Sequence, residues 1–374
     1  MQAFKRRVKA CIAVIPGDGC ISPQPQGKGE RGMKDLAVSG SADLTPAREA
    51  NIDLLRIIGC IAVVGLHTLG NVGLLCGFAV PVFLLSSGYL LIRGRPATAK
   101  KTAERILRIL KIIVLWDLLW LTFPTVFFSP GWSSPWFLTL IRSVKNCLLQ
   151  NDIWQFWYFG AQMILYLAFW LFSAAKRLDK TGSARTLYII WGFMAAFGWF
   201  LQAYSLLFLH YPAQGSYRQT FRVWTWVQYF TLGGILYRNR DRLIREISMK
   251  LNVILLVLFT AIAWAVQYYD GTRLLFNLHA EYYYDDIVVM LWVFLLSLFV
   301  LRLRLKHRKL IIETAKLTLG VYIIHPFLLA WYVRFFSVKS LADHLALFAA
   351  LNAASFLLAF LLSRIPILRE LVKL

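Results

Sequence analysis

The chain has 374 residues, of which 59% are hydrophobic, 15% aromatic and only 16% charged. So little charge with so many long apolar runs excludes a soluble domain of this size and points to a polytopic membrane protein. The net charge of +22 invites nucleic acid as a partner, but membrane topology accounts for it, as the loops below show.

Residues 1–47 read as a disordered leader that is polar, contains Gly, Pro and Ser, and lacks a helical period. MQAFKRRVKACIAVIPGDG faintly resembles a signal peptide, yet its apolar core is short and is broken by Pro16. Lys28-Gly29-Glu30-Arg31-Gly32 back-translates to a purine-rich, ribosome-binding-site-like stretch ahead of Met33. Met33 is therefore the expected natural start and residues 1–32 a mis-assigned extension; peptides from before Met33 in natively expressed protein would refute this. Cys11 and Cys20 fall in the leader, Cys60, Cys76 and Cys147 beyond it. No CxxC pair occurs, and neither a disulfide framework nor a metal site is suggested.

Ten apolar runs of spanning length follow, near 52–71, 76–92, 106–128, 153–175, 187–209, 222–237, 251–268, 286–303, 314–336 and 343–363. The expected fold is an all-α polytopic bundle of about ten transmembrane helices over residues 48–374. The first run, NIDLLRIIGCIAVVGLHTLG, carries Asp53, Arg56 and His67 among apolar residues. At 100° per residue, Arg56 to His67 is roughly 1100° and Asp53 to His67 roughly 1400°, so all three share one helix face. An ionisable group near the bilayer centre costs about 3 kcal/mol and normally faces a partner or an aqueous cavity. The stripe reads as a functional wall.

The second run ends in Ser86-Ser87-Gly88, small residues that serve close helix packing or ligand approach. Asp117 in the third run needs a partner, for instance a cation facing a cavity. In the ninth, His325-Pro326 is expected to break the helix, because proline frees a backbone carbonyl. Trp132, Trp136, Trp154, Trp157, Tyr158, Tyr268, Tyr269 and Tyr282-Tyr283-Tyr284 sit at run ends, as interfacial belts do. The stretch from Tyr268 to Asp286 interleaves aromatics with acids and suits either such a belt or contact with sugar rings. His210, His279, His307 and His344 lie in loops or at run ends and acquire no role.

With the leader inside, the inward loops, the tail and the leader through Arg56 hold 34 of the 41 Lys and Arg. The outward loops hold Arg142, Lys145, Arg218, Arg222, Arg273, Arg334 and Lys339. Ten spans with both termini cytoplasmic satisfy the positive-inside rule, and nucleic acid is unnecessary. The stripe of the first span recurs in no later one, which weakens an inverted-repeat transporter. GxxxxGK[ST], zincin and GxSxG motifs are absent.

Three ordered patterns resemble the membrane-bound acyltransferase-3 family. They are IDLLR with His67 following Arg56 as Arg-x10-His, VPVFLLSSGYLL with the basic KKTAERILRI after it, and LTLGVYIIHPFLL near the end. WQFWYFGAQMILYL in the fourth span is a weaker echo. The match runs from about Arg48 onward, and since the chain ends just past its tenth span it is expected to be the stand-alone form, without the family's occasional soluble domain.

The resemblance implies transfer of an acyl group, commonly acetyl from acetyl-CoA, to a hydroxyl of a cell-envelope saccharide or lipid-linked glycolipid at the cytoplasmic (inner) membrane. No cofactor would be bound; the acyl-CoA is a donor substrate. Such chemistry needs a base and a cationic site for the donor's phosphates. His67 is the expected base, since imidazole titrates near neutrality; the competing reading is a helix-packing histidine. An acyl-histidine intermediate and direct transfer both remain open. Arg56 is expected to grip the donor, held by Asp53 at i,i+3, against the alternative of a snorkelling arginine. Arg105 and Arg108 match the family's basic pattern and are the expected phosphate contacts, with Ser86, Ser87 and Gly88 as further donor-binding candidates. Arg93, Lys100 and Lys101 read as positive-inside anchors. His325 and Asp117 are secondary candidates. The different-class alternative is a transporter of an anionic envelope precursor that uses Arg56 and Asp117 along its path.

Overall fold

A computed structural model of the chain describes residues 49–94, 96–127, 139–149, 153–178 and 183–372. The leader, and with it the expectation about Met33, lies outside the described residues, as do Trp132 and Trp136. Every regular element among the described residues is helical, and none is a strand. The α-helices run in order α1 (Ala50–Thr68), α2 (Ala79–Arg93), α3 (Ala99–Phe127), α4 (Thr139–Leu149), α5 (Trp157–Leu178) and α6 (Ser183–Tyr204). They continue with α7 (Val223–Glu246), α8 (Met249–Tyr269), α9 (Ile287–Arg302), α10 (Arg308–Ala315), α11 (Thr318–Phe335), α12 (Leu341–Arg364) and α13 (Pro366–Val372).

Each of the ten apolar runs centres on one helix, and among the described residues seven of these helices count as long and apolar enough to cross a membrane. They are α1, α2 with the 3-10 turn before it, α5, α6, α8, α11 and α12. Of the other three, α9 is apolar but has only 16 residues. Basic residues fill the second half of α7, and α3 joins a basic first half to an apolar run of spanning length over residues 110–127. α6, α8 and α12 bury the least of their surface in the protein, as helices facing lipid do.

Local chemistry sets the helix starts. Ser340 and Asp343 form a capping box at α12, with the Asp343 amide donating to Ser340 Oγ at 3.1 Å and the Ser340 amide to Asp343 Oδ2 at 2.8 Å. At α9, Asp286 Oδ1 accepts the Val288 amide at 2.6 Å. α1 is pinned at its start by Asn51, whose side-chain amide donates to the carbonyls of Val300 and Leu303 at 2.8 and 2.9 Å, closing the last turn of α9.

Lipid tails are as apolar as leucine, so helices in a bilayer associate through close packing and hydrogen bonds. α2 and α7 show this most plainly. A Cβ at Gly88 would lie 1.8 Å from the Phe230 carbonyl oxygen, and one at Gly233 would lie 2.0 Å from that of Leu85. The two glycines let the backbones touch. α1 packs on α2, α10, α11 and α12, and Cys60 Sγ of α1 meets the Thr318 carbonyl of α11 at 3.5 Å.

Two expectations change. Pro326 does not break its helix: α11 continues from Thr318 to Phe335 with the proline inside, as transmembrane helices tolerate. The belt reading suits Tyr268 and Tyr269, which are exposed, but not Tyr283 and Tyr284, which are 0% and 2% exposed. Tyr283 Oη donates to the Asn277 carbonyl at 2.6 Å, and the Tyr284 carbonyl accepts from Tyr229. Asp285 is likewise committed, accepting from Trp224 Nε1 at 3.0 Å and Thr225 Oγ1 at 2.7 Å. Tyr283 and Asp285 thus help to build that loop.

Candidate active site

The polar stripe of α1 meets a matching stripe on α11, where Thr318, Tyr322 and His325 follow one another by about a turn and so share a face. Two chemical environments result, one at each end of this contact.

At the basic end lies a cavity of about 540 Å³, walled by α1, α2, α3, α5 and α11. Arg56, Arg93, Arg105, Arg108 and Lys316 face it, against the carboxylates Glu49 and Asp53. Asp53 is 3% exposed, and its Oδ1 lies 3.5 Å from Arg56 Nη1. Burying a carboxylate beside a guanidinium fixes the cation's position at the wall. Glu49 similarly accepts Arg93 Nη1 and Tyr89 Oη, each at 3.0 Å, and pairs with Arg240. Arg105 and Arg108 form no ion pair among the described residues; the Arg105 guanidinium sits 5.7 Å from the centre of the Tyr166 ring. With five cations and two carboxylates on its wall, the cavity is electropositive and suits a polyanion.

The cavity ends at an aromatic layer. Tyr322 lies 5.4 Å from Tyr158 and 5.9 Å from Phe159, and Phe83 lies 6.2 Å from Tyr158, all as ring-centre distances. One turn farther along α11, the His325 ring is 6.0 Å from that of Tyr322 and stacks on His67 at 5.5 Å. His67 is exposed, and Trp154 meets it edge-on at 5.0 Å. His325, 1% exposed, has Nδ1 at 3.1 Å from the Val321 carbonyl while Nε2 completes no hydrogen bond with any described residue. A proton held on Nδ1 by that carbonyl leaves Nε2 as a lone-pair acceptor behind His67. Arg56 and His67 are roughly 16 Å apart along α1, with the aromatic layer between their surroundings.

The structure thus brings Asp53, Arg56, Arg105, Arg108 and Ser87 to one cavity and sets His67 with His325 beyond it. Ser86 and Gly88 do not line the cavity; Ser86 is 1% exposed, and Gly88 is the packing contact on α7. Asp117 is also elsewhere. It accepts from Asn146 Nδ2 at 2.7 Å, and Asn146 Oδ1 accepts the Ile153 amide, a clip joining α3, α4 and the approach to α5. One partner of Asp117 is thus a neutral amide.

Sequence reasoning missed five contributors. Trp154 read as a belt residue but flanks His67. His279, given no role, is an electrostatic neighbour of His67. Tyr158, Gln162 and Tyr166 of α5 all line the cavity. Their four-residue spacing within an apolar run is the same signal that marked α1.

A family model described as an acyltransferase domain, that of acyltransferase family 3, matches residues 49–364. No curated protein and no solved structure matches the chain.

Proposed function

The chain belongs to acyltransferase family 3 and is a multi-pass membrane acyltransferase, and we propose that it moves an acyl group, acetyl foremost, from cytoplasmic acyl-CoA to a hydroxyl of an envelope saccharide or lipid-linked glycolipid. The observation that carries this reading is the polarity of the α1 contact. An electropositive cavity lies at one end, an accessible histidine at the other, and an aromatic layer between them. In this reading the ten helices on the apolar runs all cross the cytoplasmic membrane, with both termini and the basic loops inside.

Arg105 and Arg108 hold the donor's phosphates, and Arg56, fixed by Asp53, stands deeper along the same wall. The acyl end passes the aromatic layer towards His67. His67 accepts the acceptor's hydroxyl proton as its oxygen attacks the thioester carbonyl. The carbon–sulfur bond breaks, the ester forms, and the proton leaves with the CoA sulfur as free thiol. His325 stacks behind His67 and limits how that ring can turn.

The test is release of CoA thiol by the purified, detergent-solubilised protein given acetyl-CoA and a saccharide acceptor. A carrier of anionic precursors releases none, and that outcome would overturn the enzyme reading. The carrier reading is already weakened, since Asp117, one of its two anchors, lies outside the cavity. Arg105→Ala and Arg108→Ala are each expected to raise KM for acetyl-CoA about tenfold, the loss of one charge-assisted contact, with kcat little changed. The effect should shrink at high salt. Unchanged KM in both variants would remove these arginines from the donor site.

A further inference from the structure

We propose that Gln162 recognises an amide of the pantetheine arm of acyl-CoA, making it a specificity-determining residue for donors that carry such an arm. This rests on the acyl-CoA reading of the cavity and extends it to a residue beyond the arginines that hold the donor's phosphates.

Tyr158, Gln162 and Tyr166 stand on one face of α5, each four residues from the next, and all three line the cavity. The ends of this ladder are chemically marked. Tyr166 carries the Arg105 guanidinium over its ring; Tyr158 belongs to the aromatic layer and interacts with Ser87. Gln162 stands between them, about 6 Å along the helix from each.

Gln162 is 4% exposed. The Tyr166 hydroxyl lies near enough to interact with its carboxamide, but neither Nε2 nor Oε1 forms a hydrogen bond of good geometry with any described residue. A buried carboxamide without well-formed hydrogen bonds costs stability, and a leucine would fill the same wall without that cost. The two open positions are one donor and one acceptor on a single planar group. A phosphate or a thioester carbonyl offers acceptors only and would answer Nε2 alone. A secondary amide offers a C=O and an N–H side by side and can satisfy both atoms. If phosphates rest at Arg105 and the thioester at the aromatic layer, the middle of the donor lies beside Gln162. In acyl-CoA, that middle is the amide-bearing arm.

The experiment is calorimetric titration of the solubilised full-length protein with CoA and, separately, with adenosine 3′,5′-bisphosphate, the phosphate-bearing end without the arm. Gln162→Leu is expected to weaken CoA about tenfold and to leave the bisphosphate within about twofold of wild type. Retained bisphosphate binding also shows that the variant is folded. If Gln162→Leu binds CoA as wild type does, water fills the two positions and the inference is overturned, while the acyl-CoA reading stands. If wild type binds neither ligand, the donor reading fails and takes this inference with it. Should the variant not fold, wild type still decides. It is expected to prefer CoA about tenfold over an analogue with an alkyl chain of equal length, and equal binding would overturn the inference.

Discussion

His67→Ala is expected to lower ester transfer by about 10²- to 10⁴-fold, the usual contribution of a general base, while the binding of CoA is unchanged. The two readouts separate because the imidazole and the cationic cavity occupy opposite ends of the α1 contact, roughly 16 Å apart along the helix. His67 is exposed, so truncating it leaves no buried void to destabilise the bundle. Its neighbours Trp154 and His325 lose only a ring contact. Mass spectrometry of envelope glycans from cells with the intact gene and with His67→Ala, at matched protein level, makes the comparison. Disappearance of an ester-linked mass would name the acyl group and place His67 in the chemistry. An undiminished ester would remove His67 as the base, and CoA binding lost together with activity would mean that the substitution disturbs the donor site instead.

Gly88→Ala is expected to have the largest structural effect. Its Cβ would fall 1.8 Å from the Phe230 carbonyl oxygen, against rigid helix backbone. Forcing extra volume into a packed contact costs about 1–3 kcal/mol or more, a large fraction of the 5–15 kcal/mol that typically holds a fold together. The thermal midpoint and the yield of monodisperse solubilised protein should both fall. Activity should fall with them, since α2 also carries Phe83, Ser87 and Arg93 to the cavity wall. Gly192→Ala in α6 is the control: beyond its own turn of helix backbone, no heavy atom lies within 4 Å of the added carbon, and helix propensity favours alanine there. A Gly88→Ala protein as stable as this control would show that the α2–α7 contact yields easily.

A good part of the site was legible from one sequence. Charged residues in an apolar run stand out against the membrane's demand for apolar surface, and the helical period shows which of them share a face. Asp53 and Arg56 pair as their spacing suggests, and Arg105 and Arg108 reach the same cavity. What escaped depended on contacts between distant segments. His67 meets Trp154 and His325, and Asp117 meets Asn146, and no local pattern fixes either. Gly88 could serve packing or ligand approach equally well until Phe230 was opposite it.

The sequence by itself determined that the chain is an all-helical membrane protein, where its apolar helices fall and which helix faces carry charge. Those properties follow from hydropathy and period alone, because each helix satisfies its backbone hydrogen bonds internally. Only the tertiary structure decided which faces meet. In lipid no general hydrophobic force selects helix partners, so the choice rests on close backbone approach at residues such as Gly88 and Gly233 and on a few interhelical hydrogen bonds. Those contacts gather α1, α2, α3, α5 and α11 around one cavity and set His67 on the far side of an aromatic layer.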